Sequence, residues 1–184
     1  DQGTGMVDAY TYLQSLYQTM VAKGLPKNDG EAAAPFREGK IATTTNGNWA
    51  LGDYKAALGD NLGVVPLPAG PAGPANPLLG VDGFYFNPNS ANPEAALKVA
   101  LYLTSAAAQT VMMNDAGHVP ARTDVTITDP LVKGFADAFA TAYVRPQVPQ
   151  LGLYWSNFCG DGEMFEGKIT PAEFVANATA NANK

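Results

Sequence analysis

The chain has 184 residues, 46% of them hydrophobic, with eleven Lys or Arg against seventeen Asp or Glu and a net charge of −6. That is apolar mass enough for one sizeable core or two small lobes, and an acidic chain without a Lys/Arg cluster lacks the electrostatic footprint of a nucleic-acid binder. No apolar run reaches the roughly 18–20 residues that span a bilayer, and one cysteine and one histidine exclude an internal disulfide and make a protein-built zinc site a poor reading, so a soluble globular chain is expected, any signal peptide lying outside this sequence.

Apolar residues at Val7, Tyr10, Leu13, Leu16, Tyr17, Met20 and Val21 recur at intervals of three and four. The spacing predicts a helix over 6–21, ended by Gly24 and Pro26. EAAAPFREGK reads as a short helix closed by Gly39, with Pro35 in its first turn or kinking it. Residues 41–45, rich in threonine, suit a strand, and Asn46-Gly47-Asn48 is turn chemistry. Trp49 therefore stands where a strand hands over to a helix, NWALGDYKAAL, for which Asn46 or Asn48 is the expected N-cap.

NLGVVPLP is a second apolar strand, and PLPAGPAGPANP, with five prolines, is a surface loop. LLGVDGFYFNP reads as a strand interrupted by Gly80 and Gly83, a pattern of bends and of close ligand approach. NPEAALKVALYLTSAAAQTVMMNDAG predicts one long helix with Asn92 as cap and Pro93 at its first position. Three further helices are expected, beginning near Pro130, near Leu153 and at Thr170, the last with the capping-box spacing of Thr170 and Glu173. Strands alternating with helices give an α/β class. Three or four strands are few for a complete sheet in a chain of this length.

Taken in order, APFREGKIATTTNGNWALGDY, LGVVPLPAGPAGPANPLLGVDGFYFNPNSANPEAALKVALYLTS, PQVPQLGLYW and GKITPAEFVANATANAN resemble the second half of a bacterial extracellular solute-binding protein, most of all the maltose and maltodextrin binders. Each motif is short, but the ordered series is specific and covers essentially the whole chain. The resemblance implies a lobe or fragment of the type II periplasmic-binding-protein-like fold, with helices packed on a small mixed sheet. It assigns residues 1–78 to the first part of a C-terminal lobe, 79–83 to a hinge crossing, 84–125 to the N-terminal lobe, and 126–184 to the second part of the C-terminal lobe with its closing helices.

The function so implied is sugar capture for an ABC importer, without catalysis or cofactor. Maltose and maltooligosaccharides are the implied ligands, and the importer's membrane subunits the partners of the full-length protein. The location would be periplasmic or extracellular, with membrane association through the importer or through a lipid anchor outside this sequence. A glycan-active enzyme domain is the alternative, and a truncated, self-associating lobe without tight binding a third. Residues 83–119 read as a strand and helices made to pack on strands that this sequence lacks. They call for a companion fragment carrying the N-terminal half, or for a dimer that exchanges the segment.

A sugar presents flat C–H faces and a rim of hydroxyls, so its site needs aromatic platforms and short polar groups. Trp49 and Trp155 are the platforms, and in the resembled family both line the cleft on the C-terminal lobe. Tyr154 is either a hydroxyl donor into the site or a core aromatic. Asp82 is either an acceptor of two sugar hydroxyls or a polar residue at a hinge bend. Asn48 and Arg122 read first as a turn former and as the partner of a nearby carboxylate, and His118 as a loop residue bonded to backbone. Asp161 and Glu163 read as solvated turn carboxylates rather than a glycosidase pair, and Cys159 as an inert thiol.

Overall fold

A computed structural model describes residues 4–149, 151–158 and 162–182. The chain divides into two compact units, one made of Asp1–Ala32 and Pro146–Lys184, the other of Ala33–Arg145. No single helix among the described residues is long and apolar enough to cross a membrane.

The first unit is helical. Helix α1 (Thr4–Ala22) carries the predicted apolar stripe, and its N-terminal part, Met6, Val7 and Tyr10, packs on a core of Met164, Phe174 and Val175. Those three come from α8 (Gly162–Phe165) and α9 (Pro171–Ala182), and α7 (Leu151–Phe158) completes the unit. Two hydrogen bonds fasten α1 at distant points: the Tyr10 hydroxyl donates to the Phe158 carbonyl at 2.6 Å and Gln14 Nε2 donates to the Met164 carbonyl. Helix α9 starts with the predicted capping box. The Thr170 amide donates to Glu173 Oε2 at 2.8 Å, and the Glu173 amide donates back to Thr170 Oγ1 at 3.2 Å, so two otherwise orphaned N–H groups are satisfied. The Glu173 carboxyl is held below its usual range by the bonds it accepts from the Thr170 amide and the Thr170 hydroxyl.

Helix α2 (Asp29–Arg37) begins earlier than the sequence pattern predicts, because Asn28 Oδ1 accepts from the Glu31 amide while Glu31 Oε2 accepts from the Lys27 amide. Pro35 sits well inside it rather than in its first turn.

The second unit is built around Leu51, Met113, Val125 and Val132, all buried, with Leu62, Val64, Ala106, Val119, Ile127, Leu131 and Phe135 packed against them. These residues come from α3 (Leu51–Leu58), α5 (Ala106–Ala116), α6 (Pro130–Phe139) and the extended chain between them. At the N-terminus of α6, Asp129 accepts from the Leu131 amide at 2.8 Å and from Lys55 Nζ of α3 at 2.6 Å. The Lys55 ammonium, with help from the Leu131 N–H, holds the Asp129 carboxyl below its usual range.

The predicted long helix is two, α4 (Pro93–Leu103) and α5, bent by 59° at Thr104-Ser105. Ser105 adopts extended backbone and its side chain accepts from the Ala108 amide, which makes it the N-cap of a new helix. A serine in mid-pattern competes with the helix ladder in this way.

The sheet is a parallel pair, β1 (Leu78–Leu79) beside β2 (Tyr143–Val144), with Leu78 opposite Tyr143 and Leu79 opposite Val144. The Tyr143 amide donates to the Pro77 carbonyl and the Arg145 amide to that of Leu79. Three expected strands differ: residues 41–45 and 61–68 form no ladder, and of the 78–88 stretch only Leu78 and Leu79 do. The side chains there suit strands, but a strand exists only where a neighbour takes its backbone bonds, and among the described residues this chain supplies one such pairing.

Candidate functional site

Trp49 lies in a single 3-10 turn, Asn48–Ala50, which runs straight into α3 and is closed by the Ala50 amide donating to the Gly47 carbonyl at 3.1 Å. Two residues on, Leu51 is buried in the core of its unit while Trp49 keeps 74% of its surface exposed. Asn46 is not a helix cap. Its Oδ1 accepts from the Gly47 amide at 2.8 Å, and its Nδ2 donates to the Tyr54 hydroxyl at 3.1 Å. Tyr54 is itself buried, its ring edge-on to Phe36 at 4.9 Å. Asn48 gives no side-chain cap either, and it takes part in the turn through its backbone. The turn bearing Trp49 is thus tied through one asparagine to a buried tyrosine. Phe36, from α2, backs that tyrosine.

Asp82 belongs to the same unit and lies exposed in the irregular chain after β1. Tyr154 and Trp155 belong to the other. Adjacent on α7, their rings meet edge-on at 5.4 Å, and both are partly exposed, at 41% and 45%. Tyr154 also stacks on Phe158 at 5.6 Å and 17°, and Phe158 meets the buried Phe174 edge-on at 6.4 Å. Tyr154 is neither a buried core aromatic nor a freely solvated one: it is the third of four rings in a series that runs from Phe174 in the core through Phe158 to Trp155. The support by Phe158 was readable in the sequence, since residues four apart share a helix face.

The other singled-out residues have local roles. Arg122 pairs with Asp124 through Nε and Nη2 at 2.8 and 2.6 Å, holding that carboxyl below its usual range. His118, half-buried, follows α5, its amide donating to the Met112 carbonyl. Glu163 is exposed in the first turn of α8. Cys159 and Asp161 lie outside the described residues. Among the described residues no three His, Cys, Asp or Glu side chains cluster as a metal site would require. Each unit by itself offers exposed aromatic side chains, Trp49 in one and Tyr154 with Trp155 in the other, and Asp82 is exposed in the unit of Trp49; these are residue types suited to stacking and hydrogen bonding.

A profile of the family described as bacterial extracellular solute-binding protein matches residues 1–140. The maltotriose-binding protein of Pyrococcus abyssi is 32% identical over 135 residues, which cover 68% of this chain and 30% of that protein. The solved maltose-maltodextrin binding protein of the thermoacidophilic bacterium Alicyclobacillus acidocaldarius superposes with a TM-score of 0.86 at 28% identity, over 97% of this chain and 50% of its own. The maltose/maltodextrin-binding domain MalE from Bdellovibrio bacteriovorus, solved bound to maltotriose, gives a TM-score of 0.83 at 27% identity, over 98% of this chain and 50% of its own. The chain spans about half the length of these solved relatives, and the match to the curated one covers less than a third of it.

Proposed function

We propose, from the premise that this chain belongs to the bacterial extracellular solute-binding protein family, that it supplies part of the maltooligosaccharide-binding surface of an ABC importer's capture protein. The observation that carries this is Trp49, a large aromatic held with most of its surface in water by a hydrogen-bonded turn. Burying an indole is the cheaper use of it, and an open face on a rigid support is what a sugar ring requires. Trp155 is the second platform, steadied by Tyr154, whose edge it meets. Asp82, exposed in a glycine-flanked stretch, would accept sugar hydroxyls. The role is capture and release, with no bond made or broken in the sugar.

The lobe assignment goes with this proposal: residues 1–78 and 126–184 in one lobe, 79–83 as a crossing, and 84–125 returning to the other, with Met113, Val119 and Val125 of that last segment packed with Leu51 and Val132 where the lobes would adjoin. A companion polypeptide carrying the remaining half covers the apolar side of 84–103, where α4 buries no residue. With both lobes present, closure about the hinge would present the loaded protein to the importer's membrane subunits, outside the cytoplasm and held there by that contact or by a lipid anchor.

Calorimetry of the purified chain with maltotriose tests the reading, with and without a purified N-terminal half from the same protein. Weak binding by the chain, tightened by the added half and without liberated glucose, is the expected result. Glucose release would favour a glycan-active enzyme. A tight dimer of the chain that ignores the added half would favour segment exchange.

A further inference from the structure

We propose that Gly47 is a positioning residue for Trp49: the absence of a side chain at position 47 lets the indole fold back onto the turn, so that one ring face rests on the Gly47 backbone and the other is offered to ligand. This rests on the reading of Trp49 as a sugar platform. A Cβ built at Gly47 would overlap the six-membered ring of Trp49 at Cη2, Cζ3 and Cε3, well inside the roughly 3.5–4.0 Å at which carbons pack.

Gly47 is not required by its own backbone. Its φ of −86° and ψ of 168° are extended-region values, which any residue adopts without strain. The usual reason for glycine after asparagine in a turn, a positive φ, does not apply, so the close approach of the Trp49 ring is the feature that demands glycine. Position 47 is in turn fixed from both sides. Asn46 Oδ1 accepts from its amide, with Asn46 anchored on the buried Tyr54, and its carbonyl accepts from Ala50. The indole therefore rests on backbone that cannot drift. Elsewhere a solvent-exposed tryptophan samples several rotamers and loses that freedom on binding. Here the turn has restricted it beforehand.

The substitution Gly47→Ala separates this role from a structural one, because the backbone accepts alanine and the loss of chain entropy in the unfolded state favours it. Proton NMR of the parent chain should show the Gly47 α-protons shifted by the indole ring current, with nuclear Overhauser contacts to the six-membered ring. Gly47→Ala should move the Trp49 indole Nε1–H resonance and weaken maltotriose binding by roughly fivefold to tenfold, with the melting temperature unchanged or raised. Added to Trp49→Ala, it should have no further effect on affinity. Absence of the Gly47-to-indole contacts, or parent affinity in Gly47→Ala where Trp49→Ala has lost it, overturns the proposal. If Trp49→Ala binds sugar as well as the parent does, the sugar reading of Trp49 fails, and the NMR contacts still decide whether Gly47 seats the ring.

Discussion

Helices α4 and α5 follow one another with only Thr104 and Ser105 between them, each has eleven residues, and they have opposite fates. Helix α5 buries Ala108 and Met113, and Met113 belongs to the core with Leu51, Val125 and Val132. Helix α4 is the more apolar in sequence and buries nothing: Leu97, Val99, Leu101 and Tyr102 are exposed, as are Phe84, Tyr85 and Phe86 before it. The difference does not lie in composition. A helix face becomes core only where another element meets it, and this chain meets α5 with α3 and α6. This run of exposed apolar side chains is the surface that the proposed companion half would cover.

The contrast is largest for a buried charge. Val132→Asp, at a fully buried position, would place an unpaired carboxylate among aliphatic groups and should cost at least about 4 kcal/mol, unfolding its unit. Val99→Asp, at an exposed position on α4, should change urea stability by no more than about 0.5 kcal/mol. Comparable losses from the two would mean that α4 is covered in solution. Next in size, Met113→Ala should cost about 2–5 kcal/mol through lost contacts and a cavity, while Met112→Ala, exposed one position earlier, should leave the denaturation midpoint nearly unchanged.

The end of α5 sharpens the comparison further. Gly117 caps it at φ +72°, and a Cβ there would press on the Leu51 side chain. Gly117→Ala should therefore cost about 1–3 kcal/mol by strain and overpacking together, seen as a lowered melting temperature. A neutral result would show that Leu51 yields easily.

The smallest effect is the acid dependence of α6. The Asp129 carboxyl is depressed by Lys55 first and by the Leu131 N–H, so its contribution is complete above the unfolded-state value of about 3.9 and is lost as pH falls through the lower folded-state value. Asp129→Ala should lower stability at neutral pH by about 1 kcal/mol and approach the parent in acid. A gap that persists below pH ~2 would assign the effect to packing instead.

Most helices were legible in the sequence, because their signals are local: the three-four spacing in α1, Pro93 and Pro130 at first helical positions, Thr170 with Glu173 before α9. The strands were not. Residues 41–45 and 61–68 read as strands from their side chains, but pairing depends on neighbours distant in sequence or absent from it. The break at Ser105 was local and readable, since a serine within an apolar helical pattern is also a start signal. At the candidate site, Trp49 and Trp155 could be singled out from the sequence as exposed aromatics, whereas their supports were hidden. Tyr54 lies eight residues from Asn46, a distance that no turn signature spans. The place of Tyr154 midway between core and surface follows from Phe158 and Phe174, of which only Phe158 is near in sequence.

Intrinsic tryptophan fluorescence of the folded chain during titration with maltotriose tests the sugar-binding account most directly, because Trp49 and Trp155 are its only two indoles. The account predicts a saturable change in emission that is diminished in Trp49→Ala and in Trp155→Ala; the first should keep the parent's melting temperature because its side chain is largely exposed, and the second, half-buried beside Tyr154, should lower it slightly while leaving the chain folded. An unchanged spectrum at about 10 mM sugar, where even millimolar affinity would give near-saturation, would contradict it.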